Sequence, residues 1–234
     1  MVELKNLSIG YEKNDPILTE INYTFEDDKI YGLIGPSGFG KTTLLRTMCG
    51  LLKPLSGEVL VNGNTFKNAR EDGIYMMFQN YTSFDWLTCL ENVLIVKRIS
   101  GNVTEKNITI AKEILKLVGL GEKFDSYPTQ LSGGQKQRLA LARTIFMEPS
   151  VVLMDEPLSA LDEKTRADMQ KLIKNDHSND KNIIIMITHS KDEAYKLCDE
   201  VIDIEKLGRK MWWDSRICLL RKKKLRKRRS TLML

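Results

Sequence analysis

The segment Gly35-Pro36-Ser37-Gly38-Phe39-Gly40-Lys41-Thr42 constrains the fold of this chain more than any other. It follows the apolar stretch Lys29-Ile30-Tyr31-Gly32-Leu33-Ile34, which reads as a buried strand. It precedes Lys41 to Leu52, where Leu44, Leu45, Met48 and Leu52 recur at helical spacing. Strand, glycine-rich turn and helix in the order G-x-x-x-x-G-K-T make a phosphate cradle. Glycines let consecutive backbone N–H groups turn inward around phosphate oxygens, where Cβ atoms would obstruct them. The helix that follows aims its unpaired N–H groups and positive dipole end at the same anion. Lys41 then reaches the β- and γ-phosphates of a nucleotide, and the Thr42 hydroxyl can ligate Mg²⁺. A chance match of four fixed positions in 234 residues has odds on the order of 1%. The loop is therefore read as a nucleotide site.

The rest of the chain supplies an α/β frame for such a loop. Val2 to Ile9 alternates apolar and polar side chains, as a half-exposed strand does. Asn14-Asp15-Pro16 marks a turn before a second strand, Ile17 to Phe25. Glu58-Val59-Leu60-Val61 followed by Asn62-Gly63 carries a hairpin cue. Gly73 to Phe78 reads as a further buried strand, and the stretch from Asn80 to about Gln130 as helical, Glu105 to Val118 most clearly. Val151 to Met154 and Ile183 to Ile187 are short apolar runs suited to the centre of a parallel sheet, joined by a helix from about Glu163 to Lys174.

Charge narrows the partners. The net +5 conceals a division: residues 216–234 hold nine Lys or Arg and no acid, leaving the preceding residues at a net −4. A basic face for nucleic acid is not expected. The longest apolar run, Ile183 to Ile187, is far below the roughly 20 residues of a membrane-spanning helix. Met1-Val2-Glu3-Leu4-Lys5-Asn6 does not read as a signal segment. These features predict a soluble intracellular protein whose membrane role, if any, lies at the surface or through a partner. Cys49, Cys89, Cys198 and Cys218 lie far apart without a C-x-x-C pair, and are expected to be reduced thiols; His177 and His189 do not suggest a metal pair.

Further residues narrow the class of nucleotide protein. Leu131-Ser132-Gly133-Gly134-Gln135-Lys136-Gln137-Arg138 precedes an apolar helix and offers a hydroxyl cap and exposed N–H groups, a second anion site. It resembles the signature motif of ABC-family ATPases. Val151-Val152-Leu153-Met154-Asp155-Glu156, a strand ending in two carboxylates, resembles that family's Walker B motif. Gln79 after Gly73–Phe78 resembles the Q-loop glutamine, Ser159-Ala160-Leu161-Asp162 the D-loop, His189 the switch histidine and Tyr11 the adenine-stacking aromatic.

The resemblance runs from about residue 2 to 205. It implies a P-loop NTPase core with a mostly parallel sheet, an N-terminal antiparallel β subdomain and an inserted α-helical subdomain at about 80–130. ATP would be cradled by Gly35, Pro36, Ser37, Gly38, Phe39, Gly40, Lys41, Thr42 and Thr43, with Tyr11 on the adenine. Thr42, Gln79 and Asp155 would attend Mg²⁺. Glu156 would polarise the attacking water as general base, with Gln79, Lys41 and His189 around the reacting phosphate. Ser132 and Gly134 of a second subunit would close over the γ-phosphate, so the resemblance implies a head-to-tail homodimer with two sites.

A nucleotide-binding domain of this kind resembles the separate ATPase subunit of bacterial importers and of some exporters, with the importer class expected, at the cytoplasmic face of the membrane. Its implied partners are transmembrane permease subunits and a substrate-binding protein. Trp86-Leu87-Thr88-Cys89-Leu90-Glu91-Asn92-Val93 is similar to a stretch of the nitrate, sulfonate, taurine and bicarbonate importer subfamily, which usually has proline where this chain has Asp85. The alternative is an ABC-type ATPase acting on ribosomes or DNA. Beyond about residue 205 the resemblance fades. Lys206-Leu207-Gly208-Arg209 could form an exit strand and turn. Met211-Trp212-Trp213 and the basic run Arg221 to Arg229 read as an atypical tail, solvated, lipid-facing or the product of a shifted gene end.

Overall fold

The computed structural model describes residues 1–12, 14–79 and 83–208. Along the chain run β1 (Val2–Ile9), β2 (Leu18–Phe25), β3 (Lys29–Ile34), α1 (Lys41–Met48), β4 (Ser56–Val61), β5 (Asn64–Thr65) and β6 (Ile74–Met77). Then follow α2 (Cys89–Ile99), α3 (Glu105–Leu117), α4 (Gly133–Met147), β7 (Val151–Asp155), α5 (Glu163–Asp180), β8 (Ile183–Ile187), α6 (Lys191–Leu197), β9 (Glu200–Asp203) and α7 (Ile204–Leu207). The basic run, Met211 to Trp213 and Cys218 lie outside the described residues.

Two sheets form. One is antiparallel, in the order β2-β1-β4-β5; the other, β6-β7-β8-β3-β9, pairs in parallel throughout. The period-2 pleat of the parallel strands explains why they read as unbroken apolar runs. Val151 and Leu153 of β7, with Ile183, Ile185 and Ile187 of β8, enter a core shared with β1, β2, β4 and α1. Val152, Met154, Ile184 and Met186 point the other way, into a core shared with α2, α3, α4 and α5. Each fully buried Ile or Leu there contributes about 1.5–3 kcal/mol relative to exposure.

The helices between β6 and β7 are held by local polar signals. Thr88 and Glu91 form a reciprocal capping box at the start of α2, as do Thr104 and Asn107 at α3. Asn92, fully buried, fastens the preceding loop to α2. Its amide donates to the carbonyls of Phe84, Leu87 and Thr88 and accepts from the Phe84 N–H. Arg138 of α4 donates to the carbonyls of Val118 and Gly119 at 2.9 and 3.0 Å, placing a cation at the C-terminal end of α3.

Three elements depart from the sequence reading. Helix α1 stops at Met48, short of Leu52, because the N–H groups of Leu51 and Leu52 both return to the Arg46 carbonyl and close the last turn. Helix α5 continues to Asp180, past Lys174, because Met169, Ile173 and His177 repeat every fourth residue and are all buried. Residues 206 and 207 belong to helix α7, capped by the Asp203 side chain accepting from the Glu205 N–H, where an exit strand was expected. No helix among the described residues is long and apolar enough to cross a membrane.

Candidate functional site

The loop from Gly35 to Gly40 leaves the carboxyl end of β3 and delivers the chain into α1. Gly35 (φ +138) and Gly40 (φ +88) adopt backbone conformations that L side chains avoid. A Cβ would also fall 2.4 Å from Ile204 at the first and 2.8 Å from Ile17 at the second. Gly40 caps α1 without a side-chain hydrogen bond, and the first turn of α1 holds no acid. The N-terminal N–H groups are thus presented to an external anion.

A cleft of about 560 Å³ opens over this loop, lined by Tyr11, Ile17, Ser37, Gly38, Gly40, Lys41, Thr42, Thr43, Gln79, Glu156, Ile187 and His189. Five separate parts of the sequence supply its polar groups: Tyr11, residues 37–43, Gln79, Glu156 and His189. Lys41 is buried, and its Nζ donates to the carbonyls of Gly35 and Pro36 at 2.7 and 2.9 Å. Burial pulls the Lys41 ammonium below the usual lysine range, against the opposing pull of Glu156 and Asp155. Exposed Tyr11 and the aliphatic Ile17 also line the cleft and offer apolar surface on which a heterocycle can rest. Phe39 packs instead against the core, and Pro36, outside the lining, meets Lys41 through its carbonyl.

The carboxylates at the end of β7 have distinct surroundings. Asp155 is buried, and burial raises its carboxyl above the ordinary range, reinforced by Glu156 and opposed chiefly by a hydrogen bond from Thr42. Its Oδ1 is buried with no hydrogen-bond partner. Such an orphaned oxygen costs free energy unless a cation satisfies it. With the Thr42 hydroxyl beside it, this is a hard-oxygen donor pair of the kind Mg²⁺ selects, so the residues fit that ion. Glu156, half-buried, takes a left-handed backbone (φ 53) and accepts at Oε1 from His189 Nε2 at 2.7 Å.

Ser132 and Gly134 do not line this cleft. They open α4, where the Ser132 Oγ accepts from the Gln135 N–H and the Gln135 side chain answers to the Ser132 N–H. Gly134 lies against Ala160 and Leu161. Two groups near the site were not singled out by the sequence reading. Ile17 forms a wall of the cleft, and Gln137, 1% exposed, bonds both Glu156 and Ala160. The available signal for Gln137 was its position three residues beyond Gly134 on one helix face.

Such an assembly defines a nucleotide-binding cassette that cuts or transfers a terminal phosphate. The family model described as ABC transporter matches residues 18–159. An uncharacterized ABC transporter ATP-binding protein of Methanocaldococcus jannaschii is 40% identical over 205 residues, covering 86% of this chain and 76% of that protein. A probable sulfate/thiosulfate import ATP-binding protein of Chlorella vulgaris is 40% identical over 193 residues, covering 80% of each. A solved dimeric structure of the ATP-binding cassette MJ0796, in a post-hydrolysis state with ADP and Pi, superposes with a TM-score of 0.78 at 30% identity, covering 87% of this chain and 94% of that one. The chain belongs to the ABC transporter family, as an ATP-binding cassette of the ATPase class.

Proposed function

We propose that this chain is the ATP-hydrolysing subunit of an importer, working as a head-to-tail pair beneath separate membrane subunits. The observation that carries the reading is the convergence of Lys41, Thr42, Gln79, Glu156 and His189 on one cleft, with Ser132 and Gly134 standing outside it. A second copy must then supply the signature turn, and the dimeric relative supports that arrangement.

In this reading the loop N–H groups and Lys41 hold the phosphates, and Tyr11 stacks on adenine. Thr42 and Asp155 hold Mg²⁺, assisted by Gln79; the ion, when bound, neutralises charge on the phosphate oxygens. Glu156 takes the proton of the attacking water, oriented by His189. Phosphoryl transfer leaves the protein mainly positioning and charge stabilisation to perform, which this set of residues supplies.

The domain carries residues 80–130 as its inserted helical part and extends past residue 205, since helix α7 runs to Leu207 and buries that side chain in the main core. Import of a small anion is supported by the name of the sulfate/thiosulfate relative and by the Trp86–Val93 stretch, which points to the nitrate, sulfonate, taurine and bicarbonate subfamily. The working place is the cytoplasmic face of the membrane, with permease subunits and a substrate-binding protein as partners. None of the observations favours the ribosome or DNA alternative.

Pull-down of the tagged chain from native membranes in mild detergent tests the partner. Stoichiometric recovery of a polytopic membrane protein that raises the chain's ATPase rate supports the reading. Recovery of ribosomal or DNA-associated proteins alone overturns it.

A further inference from the structure

Helix α4, which carries Ser132 and Gly134, is bonded to the base of the hydrolytic cleft through one side chain. Gln137 is 1% exposed. Its Nε2 donates to the Glu156 carbonyl at 3.1 Å, and its Oε1 accepts from the Ala160 N–H at 3.0 Å. A backbone N–H can only donate and a carbonyl can only accept, so these two partners fix the orientation of the amide. One turn earlier, Gly134 presses on the same segment: a Cβ there would lie 3.2 Å from the Ala160 carbonyl and 3.3 Å from Leu161.

The segment so gripped needs holding. Glu156 is a non-glycine residue at φ 53, a conformation that persists only where neighbours determine it. Its N–H donates to the Ile187 carbonyl at 3.1 Å, and its own carbonyl receives the Ser159 hydroxyl at 3.1 Å as well as Gln137. Gln137 is the member of this set that comes from α4. It therefore ties the direction of the Glu156 side chain to the helix whose N-terminus faces the partner's nucleotide in the dimer described above.

We propose that Gln137 is a positioning residue for hydrolysis, its amide locking the Glu156 backbone and the Ser159–Asp162 loop to the signature helix. Displacement of Ser132 and Gly134, as they meet the partner's nucleotide, is transmitted through this amide to Glu156 in the same chain. The inference rests on the reading of Glu156 as the base.

The test uses the full chain with Gln137→Met, which keeps the volume and removes both bonds. Gln137→Leu, beside it, removes the same two bonds with a different apolar shape, so that an effect shared by both variants follows the bonds rather than the packing. Thermal melting sets a temperature at which each is folded, and steady-state ATPase is then measured against ATP concentration. Both variants are expected to hold the KM for ATP within about threefold while kcat falls about 10- to 100-fold, as for a displaced reacting group. A kcat within about threefold of the parent in either variant, or a loss of kcat matched by weaker nucleotide affinity, overturns the proposal. Glu156→Gln measured in parallel separates the two readings. Turnover in Glu156→Gln refutes the base itself, whereas an inactive Glu156→Gln beside active Gln137 variants refutes only the role of Gln137.

Discussion

His189 Nε2 lies 2.7 Å from Glu156 Oε1, although the two residues stand 33 apart in sequence and follow different strands. Both strands, β7 and β8, are neighbours in the parallel sheet, with Asp155 paired to Ile187. The sheet register therefore brings carboxylate and imidazole to one edge, where ligands bind in open parallel sheets. A protonated Nε2 donates to the carboxylate and fixes its rotamer. Loss of this bond frees the Glu156 carboxylate, the proposed general base, to rotate. His189→Ala is expected to lower kcat about 100-fold with ATP affinity nearly unchanged. Isothermal titration beside steady-state phosphate release checks the pair of values.

Lys41 is a buried cation whose Nζ is held within the loop by the Gly35 and Pro36 carbonyls. Charge-assisted bonds from such a group to phosphate contribute about 1.5–3 kcal/mol. Lys41→Ala should weaken ATP binding about 10- to 100-fold, read by fluorescence titration with a labelled nucleotide. Unchanged affinity contradicts the assignment of the loop.

Asp155 sets function against stability. Burial raises its carboxyl in the folded chain, so the folded state holds the proton more tightly than the unfolded state does. The associated stability is fully present below the unfolded carboxylate pKa and is lost as pH rises through the folded value. Asp155→Asn mimics the neutral form. It should melt at a higher temperature than the parent at pH 7 without nucleotide, with the gain shrinking as pH falls into the carboxylate range. The same variant should lose the extra stabilisation that Mg²⁺ adds to bound ATP. Melting curves with and without Mg·ATP across pH check both effects.

Much of this molecule was legible in the sequence where local chemistry and tertiary structure agree. The loop glycines, the apolar runs of β7 and β8, and the alternation of β1 each announce an element because every neighbour demands the same residue types. The extent of α5 was hidden because Asn175, Asp176, Ser178, Asn179 and Asp180 form helices weakly, and burial of His177 decided the matter. Helix α7 was hidden because its cap, Asp203, ends a strand. The cleft brings Tyr11, Lys41, Gln79, Glu156 and His189 together as their order along the chain implied. The link from Gln137 to Glu156 was not legible, because it depends on how α4 packs beside the turn that follows β7, and the position of Gln137 on its helix face does not name that partner.

The most direct test of the account is phosphate release by Glu156→Gln, measured with ATP binding and with sedimentation in the presence of ATP. The account predicts that the variant binds ATP as the parent does, loses turnover at least about 100-fold, and accumulates as an ATP-bound dimer. Phosphate release at the parent's rate would contradict it.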